Sequence, residues 1–103
     1  METIFTPGPW VVDGTYISQE SDKDVGICDV LYMDAGGRTG WFRGPVTEAN
    51  ACAISATPDL FEAAQAAEAI FARQGWIEGS DAPEAVALRQ LRAAIMKATG
   101  GVA

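Results

Sequence analysis

The stretch Glu48-Ala49-Asn50-Ala51-Cys52-Ala53-Ile54-Ser55-Ala56-Thr57-Pro58-Asp59-Leu60 holds one helix, a break and the start of a second helix. Ala49, Ala51, Ala53 and Ala56 are small enough to let a backbone approach its neighbour closely. Among them, Asn50 carries a carboxamide that can both donate and accept. Such a group needs partners once buried. Thr57 suits the cap of a new helix and Pro58 its first position, where a missing N–H leaves nothing unpaired. Asp59 then faces the positive end of the helix dipole.

Downstream of this junction the spacing predicts helices only, from Thr47 onward. The second, about Pro58 to Gln74, puts Leu60, Ala64, Ala67 and Phe71 on one stripe with Phe61 and Ile70 beside it, and Gly75 stops it. A loop through Trp76, Ile77, Gly79 and Ser80 leads to Asp81-Ala82-Pro83-Glu84, which reads as a capping box with Asp81 in the cap. The third helix then runs to about Ala98 with the stripe Leu88, Leu91, Ile95 and Ala98, and Gly100-Gly101 ends it. Two helices of matched length predict an antiparallel hairpin laid on a sheet.

Upstream the periodicity changes to that of strands. Pro9 to Asp13 and Thr15 to Ser18 are β-branched and aromatic around the turn dipeptide Asp13-Gly14, which predicts a hairpin. After a polar connection from Gln19 to Asp24, Val25 to Tyr32 reads as a third strand with imperfect alternation. Met33 to Pro45 holds four glycines; it is a long loop or a hairpin ending in an edge strand at Gly40 to Arg43. The expected fold class is α+β: a small antiparallel β-sheet in the N-terminal half, packed by C-terminal α-helices that include a helical hairpin, in a single domain over residues 1–103.

At 103 residues and 49 % hydrophobic content the chain can bury a modest core. No basic leader opens it, and no apolar run approaches the roughly 20 residues of a membrane span, so the expected address is the cytosol, with no membrane partner. Cys28 and Cys52, without an export signal, are expected to be reduced and buried. Fourteen acids against seven bases, a net charge of −7, argue against binding duplex nucleic acid, which depends on neutralising phosphates. The acids could imitate nucleic acid toward a basic partner or simply keep the chain soluble.

The chain has no histidine, which removes the commonest general base and the commonest metal ligand. Neither cysteine has a context that would stabilise a thiolate, and Asp22, Asp24 and Asp29 lack the glycine and closing glutamate of a calcium loop, so they read as a solvated turn. No catalytic residue, metal site or cofactor is expected. The glycine-rich run from Asp34 to Gly40 could cradle a phosphate through its N–H groups, with Arg38 beside it. Trp41 and Arg43 would add an aromatic face and a guanidinium suited to a nucleotide, or else be a ring pinned on the sheet and an exposed cation. Trp10 reads first as a core ring anchoring the hairpin. Asn50 would either bond the open backbone of the first strand or donate to a partner. The candidate ligand- or partner-binding residues are therefore Arg38, Trp41, Arg43, Asn50 and Trp10.

Thr6-Pro7-Gly8-Pro9-Trp10, Glu48-Ala49-Asn50-Ala51 with Ile54-Ser55-Ala56-Thr57-Pro58-Asp59-Leu60, and Ile95-Met96-Lys97-Ala98-Thr99-Gly100 together resemble a family of small phage and prophage accessory proteins. This chain differs from that pattern in having Thr57 before Pro58 and a segment containing Trp41. The resemblance implies a compact sheet with helices and an accessory gene of a mobile element, in a family mostly without assigned activity. Some phage proteins of this size and character are counter-defence factors that inhibit a host nuclease complex or sequester a cyclic-nucleotide signal, an analogy of context. The expected function is non-enzymatic binding of a host immune protein or a nucleotide second messenger, by a homo-oligomer. The rivals are a scaffold subunit of a phage assembly and a small nucleotide-processing enzyme.

Overall fold

The computed structural model describes residues 5–37, 40–75 and 79–101. The order of elements is β1 (Trp10–Asp13), β2 (Tyr16–Gln19), β3 (Gly26–Asp29), β4 (Asp34–Gly37), β5 (Gly40–Phe42), α1 (Pro45–Ser55), α2 (Thr57–Ala72) and α3 (Pro83–Ala98). The fold is α+β, with antiparallel strands in the N-terminal half and helices after them. The strands form two sheets rather than one, β1-β2-β3 and β4-β5. Met33 to Pro45 thus takes the hairpin alternative. The chain divides into two compact units, Met1–Asp59 and Leu60–Ala103, the boundary falling in the first turn of α2.

In the first unit, β1 and β2 are joined by Gly14-Thr15, with positive φ at Gly14 alone, as a two-residue hairpin loop of the II′ kind requires. Register places Val12, Ile17 and Cys28 in one row across the three strands, and this row faces inward. Ile17, Val30 and Ala51 form the buried centre, with Trp10, Val12, Ile27, Cys28 and Ile54 packed around it. Helix α1 contributes Thr47 and Ala51, one turn apart, and packs on β1, β2 and β4. Of the four small residues noted in the sequence, Ala51 alone is fully buried; Ala49 and Ala53 are exposed because they lie about 160–200° round the helix from it.

Several strand and helix limits shift by a few residues from the sequence expectation, and three of the differences have a visible cause. Strand β3 stops at Asp29 instead of reaching Tyr32. Val30 donates its N–H to Thr15 O (2.8 Å) and turns into the core, and Met33 N–H then bonds the side chain of Thr47 (2.7 Å), so the chain leaves the sheet to meet α1. Helix α1 begins at Pro45 rather than Thr47, with the proline in its first turn. Helix α3 is capped at Ala82 and not at Asp81, so the expected capping box is not formed; Ser80 Oγ accepts the Ala82 N–H instead (3.2 Å).

In the second unit, α2 turns Phe61, Ala64, Ala67 and Phe71 toward partial burial, while Leu60 and Ile70 of the expected stripe lie mostly in solvent. Three of the four stripe positions thus stand as expected, with Phe61 in place of Leu60 at the start. On α3 the buried positions are Ala85, Leu88 and Thr99, with Leu91 and Ile95 half-buried; Ala98 is exposed and Thr99 takes its place, donating its hydroxyl to the Ile95 or Met96 carbonyl. Arg92 Nε donates to Glu68 Oε1 (3.0 Å), tying the two helices together. The end of α3 is a Schellman turn: Gly101 N–H bonds Met96 O and Gly100 N–H bonds Lys97 O, with Gly100 at φ +67°. Trp76 and Ile77, read as loop residues, lie outside the described residues.

Two of the sequence motifs meet in space. A Cβ built on Gly8 would collide with the Pro58 ring, so Thr6-Pro7-Gly8-Pro9-Trp10 and Thr57-Pro58-Asp59 are packed on each other where only glycine fits. Gln19 Nε2 donates to Pro7 O (3.2 Å) and Trp10 Nε1 to Thr6 O (3.0 Å), which fastens the segment to the hairpin.

Candidate functional site

The first unit carries an open groove of about 560 Å³ lined by Thr15, Asp29, Val30, Leu31, Tyr32 and Trp41 among the described residues. Two polar groups and four apolar ones shape it. Thr15 Oγ1 donates to Asp29 Oδ1 (2.7 Å) and so holds the carboxylate at the rim. Leu31 is 80 % exposed, Trp41 60 % and Tyr32 53 %, an unusual concentration of large apolar side chains in solvent on so small a unit.

The wall from Val30 to Tyr32 is followed by Met33, whose N–H is held by a buried polar centre. Gly44 caps α1 in extended backbone and offers no side chain, and a Cβ there would come within 2.7 Å of both the Asp34 carboxylate and the Phe42 ring. Asp34, at the start of β4, supplies the missing cap from a distance. Its Oδ1 accepts from Gly44 N (3.0 Å), Thr47 N (2.8 Å) and Thr47 Oγ1 (2.6 Å), and its Oδ2 from Val46 N (3.0 Å). Three of these donors are free N–H groups of the helix start, which attract negative charge, and the fourth is the Thr47 hydroxyl. Burial alone would raise the Asp34 pKa; the bonds from Thr47, Val46 and Gly44 outweigh it and hold the carboxyl at about 2 instead of 3.8. Because Thr47 Oγ1 also accepts the Met33 N–H, one hydroxyl links the residue after the groove wall, the β4-β5 hairpin and α1.

The structure separates the candidate residues read from sequence. Trp41, on β5, lines the groove. Arg43 lies against Gly14, beside the groove residue Thr15, and pairs with Glu48 (3.4 Å). Trp10 is half-buried, stacked edge-on against Phe5 with centroids 5.8 Å apart and packed on the core. Asn50 Nδ2 donates to Met33 Sδ (2.7 Å), so its partner is a thioether and not the open backbone of the first strand. Arg38 lies outside the described residues. Asp22 closes a turn by accepting Asp24 N–H (3.0 Å), while Asp29 serves Thr15; among the described residues no cluster of three acids or cysteines could hold a metal ion. Both cysteines are free thiols; Cys28 is half-buried, but Cys52 is exposed, correcting the expectation of burial, because it is a step of 100° round α1 from Ala51.

Thr15, Leu31 and Tyr32 were not among the candidate residues read from sequence, and Asp29 was weighed there only as one acid of a solvated turn. The unbroken apolar run Val30 to Met33, which has no place in a two-sided strand whose alternate residues face water, could have pointed to Leu31 and Tyr32; no sequence signal points to Thr15 or Asp29.

Residues 1–102 match the model of the family described as Salmonella phage P22 protein Y8K6, and the chain belongs to that phage protein family. No curated protein and no solved structure matches the chain. Among the described residues no helix is long and apolar enough to cross a membrane.

Proposed function

We propose that the chain is a non-enzymatic phage accessory protein that binds a host protein through the Leu31-Tyr32-Trp41 groove, as a counter-defence or host-takeover factor. The observation that carries this reading is the exposed aromatic and aliphatic wall beside an oriented polar pair, the make-up of a protein-binding hot spot rather than of a reaction centre. The absence of histidine from the sequence supports a role without turnover. The nucleotide-sponge version receives less support. It relies on a cationic patch at Gly36 to Arg43, and the Arg43 guanidinium is already paired with Glu48.

The test is retention of a host protein by the full-length chain in infected cells, followed by binding of the purified pair. Wild-type binding that Leu31→Ser abolishes supports the reading; Leu31 is so exposed that the substitution leaves the fold intact. Binding insensitive to Leu31→Ser, turnover of a nucleotide pool, or calorimetric binding of cyclic di- and trinucleotides or ADP-ribose derivatives would overturn it.

A further inference from the structure

Charge is distributed unevenly between the two units. Residues 1–59 hold nine acids and three bases, whereas residues 60–103 hold five acids and four bases. The groove therefore sits in a unit that carries nearly all of the net negative charge. The register of the three-stranded sheet sharpens this locally: Asp13 pairs with Tyr16 and Tyr16 with Asp29, so the three side chains form one row on the face opposite the core row Val12-Ile17-Cys28. Asp13, Tyr16 and Asp29 are all exposed. Asp29 ends the row and is itself a groove residue.

The state of each charged group near the groove decides what could lie in it. Thr15 takes Oδ1 of Asp29 and leaves Oδ2 with no side-chain donor among the described residues. Arg43, the cation beside Thr15, is balanced by Glu48 at 3.4 Å and contributes no net positive charge. Among the described residues the rim is thus anionic and the wall apolar. A phosphate-bearing ligand or an acidic segment would be repelled by the rim, and a purely apolar segment would leave it unused.

Resting on the binding reading above, we infer that the groove takes a basic polypeptide segment, one that seats an aliphatic or aromatic side chain against Leu31, Tyr32 and Trp41 and sets a Lys or Arg against Asp29. The apolar contact supplies the affinity. The Asp29 pair and the acidic row select the partner and speed its approach, because an exposed ion pair contributes little by itself while a field of one sign steers an oppositely charged partner.

The inference is tested with a displayed library of random dodecapeptides selected on the full chain, the enriched peptides being synthesised and titrated against wild type, Asp29→Asn and Leu31→Ser. Asn keeps an acceptor for Thr15 Oγ1, so Asp29→Asn removes charge and leaves the rim in place. Enriched peptides should carry Lys or Arg within three residues of Leu, Phe or Trp. Asp29→Asn should weaken them roughly two- to fivefold at low salt, with the difference fading near 0.5 M salt. Leu31→Ser should weaken them roughly tenfold or more. Peptides without basic residues, or peptides indifferent to Asp29→Asn at low salt, would overturn the basic-segment inference while sensitivity to Leu31→Ser keeps the groove as a binding surface. Selection that yields nothing, or only peptides indifferent to Leu31→Ser, would overturn both.

Discussion

Thr47→Val isolates the hydroxyl on which the first unit converges. Valine matches threonine in shape and keeps the backbone N–H that bonds Asp34, so the change removes only Oγ1. That oxygen is fully buried, donates to a charged acceptor at 2.6 Å and receives Met33 N–H at 2.7 Å. A buried hydroxyl bonded to an ionised acceptor contributes roughly 1.5–3 kcal/mol, and the Met33 N–H, only part-buried, adds at most about 1 kcal/mol when it loses its acceptor. The new methyl returns about 0.8 kcal/mol. The expected net loss is about 1–3 kcal/mol at pH 7, read by chemical denaturation followed through tryptophan fluorescence, with Trp10 and Trp41 reporting on the first unit. The loss should also depend on pH in a definite direction. The folded Asp34 pKa lies at about 2, below its ordinary 3.8, so its contribution is complete above about 3.8 and is lost as pH falls toward and through 2. Removing one donor brings the folded pKa back toward 3.8, and the gap between wild type and variant should narrow as pH falls from about 4 to about 2. A loss under about 0.5 kcal/mol at pH 7, or a gap constant across that window, would refute the reasoning.

Gly8→Ala should destabilise the fold by about 1–3 kcal/mol, the usual effect of overpacking, because Pro58 is a rigid ring with no rotamer to retreat into; an unchanged denaturation midpoint would dissolve the contact between the two motifs. Asn50→Ala should cost less than about 1 kcal/mol, since its partner is a weakly accepting thioether at an exposed site; a larger loss in the same assay would restore a backbone partner for Asn50. The chain should self-associate through the nearly neutral helical unit, where Leu60, Ile70 and Met96 are exposed; light scattering giving a monomer mass at tens of micromolar would count against this.

The change from two-residue to three-and-four-residue periodicity near Pro45 determined the α+β class, the order of elements and most helix limits, because burial of one face acts on every residue of an element and is written along the chain. The hairpin turn at Gly14 and the stop at Gly100 were legible for a similar reason: both positions need positive φ, which glycine adopts without strain. The groove was not legible. Trp41 could be singled out as an aromatic in a glycine-rich segment, but Thr15, Asp29 and Leu31 are 26, 12 and 10 residues before it and carry no motif that relates them. Asp34 and Thr47 show the limit most clearly. In sequence they are an acid in a loop and a threonine near a helix start; the closing of the β4-β5 hairpin carries the carboxylate to the free N–H groups of α1, and Gly44, with no room for a side chain, leaves the cap to it. Local preference chose the elements, while the donor for each buried acceptor was chosen only by which segments the tertiary packing brought within 3 Å of one another.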